Sequence, residues 1–182
     1  MKTEKGLANQ LVQIPNLLTI GRFVLVPGLF AAFFWGNSGW VLVVLALVFG
    51  SDVLDGWLAR RWKLTSLVGK VLDHAVDKFV IISLVLLLAL TRDMPWWVFW
   101  FFLARESITS VVGIFLLYKK VKISGSNLMG KITGFFFGIT SVAYIVAFAW
   151  REMFLWTTVG LAVLASFSYI YYHFFPKQAK TA

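Results

Sequence analysis

Four aspartates, Asp52, Asp55, Asp73 and Asp77, fall within 26 positions of a 182-residue chain that has only eight acidic residues in all. Asp52 and Asp55 stand three apart and Asp73 and Asp77 four apart. In a helix both separations put side chains on one face, so two carboxylate pairs can converge on one site. Four like charges so close repel one another unless cations neutralise them. Oxygen-only ligation favours a hard ion, Mg2+ or Mn2+, and two divalent ions balance four carboxylates. Such a pair can clamp a phosphoryl group and stabilise charge on the attacking and leaving oxygens of an in-line displacement. Gly56 follows Asp52 by four positions and Ala59 follows Asp55 by four, leaving room for a ligand beside the acids. Arg60 is placed to pair with a diphosphate, while Ser66 and Gly69 offer a hydroxyl and close backbone approach.

Two other readings of the aspartates stand beside this one. They could be a helix-end cluster solvated by headgroups and paired with Arg60, Arg61 and Lys63. Against that, a carboxylate in or near hydrocarbon costs about 2.5–3.5 kcal/mol on insertion scales, so such residues are functional candidates. They could instead serve an ion-coupled transporter, whose usual marks are inverted repeats and helices broken near the midplane. The sequence carries neither mark.

Apolar elements must position these groups. Hydrophobic residues make up 60% of the chain and charged ones 14%, against about 45–50% apolar in a soluble domain. With about 20 residues needed per crossing, the apolar runs near 17–35, 40–59, 73–91, 95–118, 128–150 and 153–175 predict six spans. The expected fold is an all-α six-transmembrane-helix bundle with a polar cavity open to the cytoplasm. Residues 1–16 form an N-terminal interfacial segment, with 8–16 as a short surface helix; 17–175 form the membrane domain; 176–182 form a tail. The break from Arg60 to Gly69 is short enough to make the second and third spans antiparallel neighbours. Arg22 in the middle of the first run marks it as a retained span rather than a cleaved signal.

Twelve of the 17 Lys and Arg residues, from Lys2 to Lys180, fall on one side of these spans, and only Arg92 and Arg151 on the other. The excess marks the cytoplasmic side. Both termini and the aspartates are therefore expected on the cytoplasmic face of the cell membrane. The nine Trp lie near span ends, as interfacial anchors do. The net charge of +9 is scattered in short clusters between apolar runs, which predicts anionic headgroups and phosphates as partners rather than nucleic acid. The absence of cysteine excludes thiol nucleophiles and zinc-thiolate sites.

Arg105-Glu106 and Lys131 add further charges inside spans. An anionic ligand would explain both cations; Arg105 could also simply neutralise Glu106 or an aspartate, and Lys131 could snorkel to the interface. Gly130, Gly134 and Gly138 form a small-residue stripe expected to let helices pack closely within the bundle, or to serve a subunit contact. His74 could neighbour a metal or be an ordinary interfacial residue; its offset of about 100° from Asp73 favours the second.

The segment Asp52-Val53-Leu54-Asp55-Gly56-Trp57-Leu58-Ala59-Arg60, followed by Gly69, Asp73 and Asp77, resembles the CDP-alcohol phosphotransferase signature at all eight specified positions. Pro15-Asn16-Leu17-Leu18-Thr19-Ile20-Gly21-Arg22 is similar to the first span of that family. The resemblance implies a CDP-diacylglycerol donor held among Asp52, Asp55, Gly56, Ala59, Arg60, Ser66 and Gly69, with Asn16 and Thr19 bordering the nucleotide. It also implies metals on Asp52, Asp55, Asp73 and Asp77, with Asp77 as the general base that activates the acceptor hydroxyl. Ala104-Arg105-Glu106 and Gly130-Lys131 look like stretches of bacterial phosphatidylglycerophosphate synthases. This implies a glycerol 3-phosphate acceptor bound at Arg105 and Lys131. The chain departs from those enzymes at Val112-Gly113 and at Ile132-Thr133-Gly134, and it has His74 where many relatives have proline. Phosphatidylglycerol, giving cardiolipin, and inositol phosphate therefore stay open as acceptors. A homodimer is implied by the resemblance alone.

Overall fold

The computed structural model describes residues 14–35, 37–62, 67–118 and 128–174, and among these all regular structure is α-helical. The helices are α1 (Ile14–Phe34), α2 (Ser38–Trp62), α3 (Leu67–Thr91), α4 (Trp96–Tyr118), α5 (Leu128–Ile145) and α6 (Arg151–Phe174). The shortest has 18 residues and the longest 25. At 1.5 Å per residue they are about 27–37 Å long, bracketing the roughly 30 Å hydrocarbon core of a bilayer.

Three boundaries differ from the sequence reading. The first span was expected near residue 17, but α1 already includes Ile14, Pro15 and Asn16; Pro15 sits in its first turn, where the missing N–H leaves no bond unmade. Residues 8–13 lie outside the described part. The break expected from Arg60 to Gly69 is shorter, since α2 continues through Arg60, Arg61 and Trp62 and α3 starts at Leu67. Arg propagates a helix well and no Gly or Pro intervenes there. The fifth helix stops at Ile145 rather than 150. Ala147 adopts a left-handed φ of 52°, the Phe148 N–H bonds to the Ala143 carbonyl at 2.8 Å, and the Ala147 N–H to the Tyr144 carbonyl at 3.2 Å. These are the paired bonds of a Schellman cap, built with alanine where glycine is usual.

The chain divides into two compact units, Met1–Thr91 and Arg92–Ala182. In the first, α1 packs against both α2 and α3. Val26, Val48, Val76 and Val80 form their shared core, with Leu25, Phe30 and Val44 packed around it. The side-chain oxygen of Asn37 caps α2, accepting from Gly39 and Trp40 N–H at 2.9 and 3.3 Å. Pro27 lies inside α1 and cannot bond the Phe23 carbonyl.

In the second unit α5 packs against α6. Thr140 bonds Thr158, and Tyr144 Oη donates to Glu152 at 2.8 Å. As one helix advances the other retreats, so α5 and α6 are antiparallel. Trp97 stacks on Trp156 at 5.1 Å and Arg105 bonds Ser166, so α4 and α6 are parallel. Within this unit the glycine stripe is not closely packed, which departs from the first of its two expected roles. A Cβ added at Gly130, Gly134 or Gly138 would meet nothing within 4 Å.

The buried core is mostly apolar, but it also takes in polar and charged side chains. Arg22, Ser83, Glu106, Thr133, Thr140, Ser141 and Thr158 are buried, while many Phe, Trp, Leu and Val side chains face outward. Trp35 and Trp40 mark one end of the first unit; Trp96, Trp97, Trp100, Trp150 and Trp156 mark the N-terminal ends of α4 and α6, and all seven are exposed. Among the described residues, His74–Thr91 and Leu128–Ile145 are long and apolar enough to cross a membrane. Of the six spans expected, these two meet that test. Gly21–Phe34 and Ser38–Ser51 are shorter apolar stretches; the charged residues that follow Ser51 in α2 dilute the rest of that helix.

Candidate active site

All four aspartates are on helices: Asp52 and Asp55 in the C-terminal half of α2, Asp73 and Asp77 in the N-terminal half of α3. One helical turn separates the members of each pair, as their spacing requires. Gly56, Ala59 and Arg60 share α2 with the first pair, Gly69 lies on α3, and Asn16 and Thr19 lie on the first turns of α1. The side chains of Asn16, Thr19, Asp52, Asp55, Ala59, Arg60 and Asp73 are outside the described part, and Ser66 is outside the described residues altogether. Among the described residues no group of three or more His, Cys, Asp or Glu gathers to hold a metal. Of the four acids, only Asp77 has a described side chain.

Asp77 is not alone. Arg22 of α1 donates from Nη1 to Asp77 Oδ1 in an interhelical ion pair. The Arg22 side chain is 2% exposed and that of Asp77 37%, so the cation is sealed in the helix interior while the acid keeps an open side. Packing explains the register. Val26, one turn beyond Arg22 on α1, joins Val76 and Val80 of α3 in the apolar cluster, and the Phe23 and Phe79 rings meet at 5.2 Å. The sequence reading used Arg22 to mark a retained span and as the end of the first-span resemblance, and gave it no partner. The signal that could have promoted it is general: an arginine inside an apolar helix needs a counter-ion.

The second unit holds the other expected site residues. Arg105 pairs through Nη1 with Glu106 Oε1, and its Nε donates to Ser166 Oγ at 3.2 Å and to the Ala162 carbonyl at 3.4 Å. Glu106 is buried. Neutralisation of Arg105 by its sequence neighbour, one of the two readings offered above, is thus observed. Arg105 also borders a cleft of about 310 Å³ between α4 and α6, whose other walls include Phe101, Ile108, Val112, Val163 and Phe167. Such walls suit a hydrocarbon chain. Lys131, in the first turn of α5, is exposed, and the described contacts do not join it to Arg105. His74 is exposed as well.

These features describe an all-helical protein, among its described residues, with two helices apolar enough to cross a membrane and an ion-paired acid between helices. The model of the CDP-alcohol phosphatidyltransferase family matches residues 12–164, and the chain belongs to that family. The match contains the four aspartates and Arg22, Arg105 and Lys131. Among curated relatives, a CMP-forming cardiolipin synthase of Streptomyces coelicolor is 38% identical over 117 residues, covering 58% of this chain and 53% of that protein. A CDP-diacylglycerol–glycerol-3-phosphate 3-phosphatidyltransferase of Rickettsia felis is 29% identical over 169 residues, covering 86% of this chain and 92% of that protein. A protein of Mycobacterium tuberculosis described as a cardiolipin synthase is 29% identical over 101 residues, covering 55% of this chain and 48% of that protein. The chain thus spans about half the length of the Streptomyces and Mycobacterium proteins and most of the Rickettsia one.

Proposed function

We propose that the chain transfers the phosphatidyl group of CDP-diacylglycerol to glycerol 3-phosphate, forming phosphatidylglycerophosphate and releasing CMP. One observation carries this reading: the eight-position signature from Asp52 to Asp77 lies on α2 and α3 within the family match. Similarity along most of a Rickettsia enzyme named for that reaction supports the acceptor. In the step, Asp77 takes the proton of the acceptor hydroxyl. The oxygen attacks the phosphorus that bears diacylglycerol, and the bond from that phosphorus to the oxygen of CMP breaks. Arg60, Ser66 and Gly69 hold the diphosphate, Asn16 and Thr19 border the nucleotide, and Arg105 and Lys131 receive the acceptor phosphate.

An all-carboxylate donor set fits a hard divalent ion, so Asp52, Asp55, Asp73 and Asp77 would hold two Mg2+ or Mn2+. When bound, these ions would supply neutralisation of phosphate charge at the reacting centre. All six helices cross the cell membrane in this reading, with the site and both termini on the cytoplasmic side, as the Lys and Arg distribution favours. The enzyme acts as a homodimer by family resemblance.

A second acceptor has its own support. The apolar cleft beside Arg105, together with 38% identity to a cardiolipin synthase, favours phosphatidylglycerol, whose acyl chain would fill the cleft. The deciding experiment supplies purified protein with CDP-diacylglycerol, Mg2+ or Mn2+, and glycerol 3-phosphate, phosphatidylglycerol or inositol phosphate in turn. CMP release with phosphatidylglycerophosphate as product supports the first reading; cardiolipin supports the second. No CMP with any of the three acceptors would overturn both readings of the acceptor.

A further inference from the structure

We infer that Arg22 is a positioning residue for the transfer reaction: it anchors the Asp77 carboxylate by one oxygen so that the acid meets the acceptor hydroxyl in a fixed orientation. This rests on the reading of Asp77 as the general base. The geometry is an ion pair between helices, Arg22 Nη1 of α1 to Asp77 Oδ1 of α3, with the guanidinium sealed from solvent and the carboxylate open on one side.

A bond to one oxygen from the interior limits rotation of the carboxylate about its terminal torsion, which is otherwise broad for aspartate. The Asp77 side chain is 37% exposed, and substrate would reach it from there. Packing beside the pair holds Arg22 in register: Val26 lies in the valine cluster with Val76 and Val80, and Phe23 meets Phe79. Base and anchor therefore ride on two helices whose relative register is set by packing one turn from the ion pair.

The competing explanation is that the pair merely braces α1 to α3. Energetics argue against bracing as its purpose. Desolvating both ions can offset their attraction, so apolar residues in place of a buried pair are often neutral or stabilising. The α1–α3 contact already has such residues one turn away, at Val26 and Val80. Arginine suits an anchor better than lysine here, since its planar fork fixes direction as well as charge.

The test compares Arg22→Lys, Arg22→Met and Asp77→Asn in the full-length protein in lipid micelles. Thermal midpoint, CDP-diacylglycerol affinity, kcat and KM are measured for each, with glycerol 3-phosphate and phosphatidylglycerol supplied separately as acceptors. The expected result is near-wild-type CDP-diacylglycerol affinity for both Arg22 variants, with the thermal midpoint kept by Arg22→Lys and lowered in Arg22→Met, which leaves the acid without its cation. Turnover should fall in kcat and not in KM for the donor lipid, by roughly a hundredfold in Arg22→Met, the scale of a misplaced reacting group. Arg22→Lys, which restores charge without the fork, should recover part of that loss. Wild-type kcat in a folded Arg22→Met, alongside a silent Asp77→Asn, overturns the inference and leaves Asp77 as the base. A parallel fall of thermal midpoint, lipid affinity and kcat in both Arg22 variants also overturns it, because a brace would do that. Turnover by Asp77→Asn instead defeats the underlying assignment of the base.

Discussion

Arg105 on α4 and Ser166 on α6 are joined by a 3.2 Å hydrogen bond from Nε to Oγ, and Ser166 in turn donates to the Ala162 carbonyl at 2.8 Å. The serine thus accepts once and donates once, and it fixes the guanidinium against the neighbouring helix while Glu106 balances its charge. Replacing Arg105 with Lys removes the fork that makes these contacts. A lost hydrogen bond to a charged group is worth about 1.5–3 kcal/mol, or roughly tenfold or more in binding. Steady-state kinetics of Arg105→Lys should show KM for the acceptor rising on that scale with KM for CDP-diacylglycerol unchanged; a rise in the donor KM alone would remove Arg105 from the acceptor site.

The cleft lined by Val112 and Val163 makes the two acceptors separable. Val163→Trp fills space that an acyl chain would occupy. Excluding two methylenes, at about 0.8 kcal/mol each, is roughly tenfold in affinity. If phosphatidylglycerol is the acceptor, its kcat/KM should drop by that factor. Glycerol 3-phosphate, which has no chain to seat, should be unaffected by the same change.

Alanine at the left-handed cap of α5 carries a conformational penalty of about 1–2 kcal/mol, offset in glycine by about 0.5–1 kcal/mol of extra unfolded-state freedom. Ala147→Gly should therefore stabilise the protein by about 0.5–1 kcal/mol, seen as a higher unfolding midpoint in detergent. The φ of 52° at Ala147 is the basis of that expectation. A lower midpoint would mean that the turn is not formed as described.

Thr140 and Thr158 share a 2.7 Å hydroxyl contact inside the α5–α6 pair, and Thr140 also lies 3.1 Å from the Phe154 carbonyl. Interhelical hydrogen bonds of this kind average about 0.6 kcal/mol and reach roughly 1.7 in a bilayer. Thr158→Val, which keeps the shape and removes the hydroxyl, should cost an amount in that range in an unfolding titration. Activity should be retained, since neither threonine is placed at the site.

Chelation supplies the functional counterpart. With four carboxylates as the expected ligands, EDTA should stop CMP release, and excess Mg2+ or Mn2+ should restore it. Full activity in chelator would contradict the metal assignment.

Local patterns exposed much of this to sequence reading. Helical segments were legible because an unbroken apolar run must satisfy its backbone internally in lipid, and a helix does so within one segment. The aspartates stood out because charge in such runs is rare and expensive. Where the reading missed, the deciding physics was local geometry without a residue-type signal. The left-handed stop after Ile145 uses alanine instead of glycine, and Arg60, Arg61 and Trp62 extend α2 where a loop was expected. The glycines at 130, 134 and 138 repeat at packing intervals, yet they face open space.

By itself, then, the order of residues determined the helical class, the acidic signature and the family, because each depends on spacing along one chain. Partnership was decided only in three dimensions. That Asp77 meets Arg22, 55 positions earlier, and that Arg105 meets Ser166, 61 positions later, follows from which helix faces pack together. The valine cluster around Val26 and the aromatic stack at Trp97 set those faces, and no periodicity within a single helix specifies which neighbour its polar groups will find.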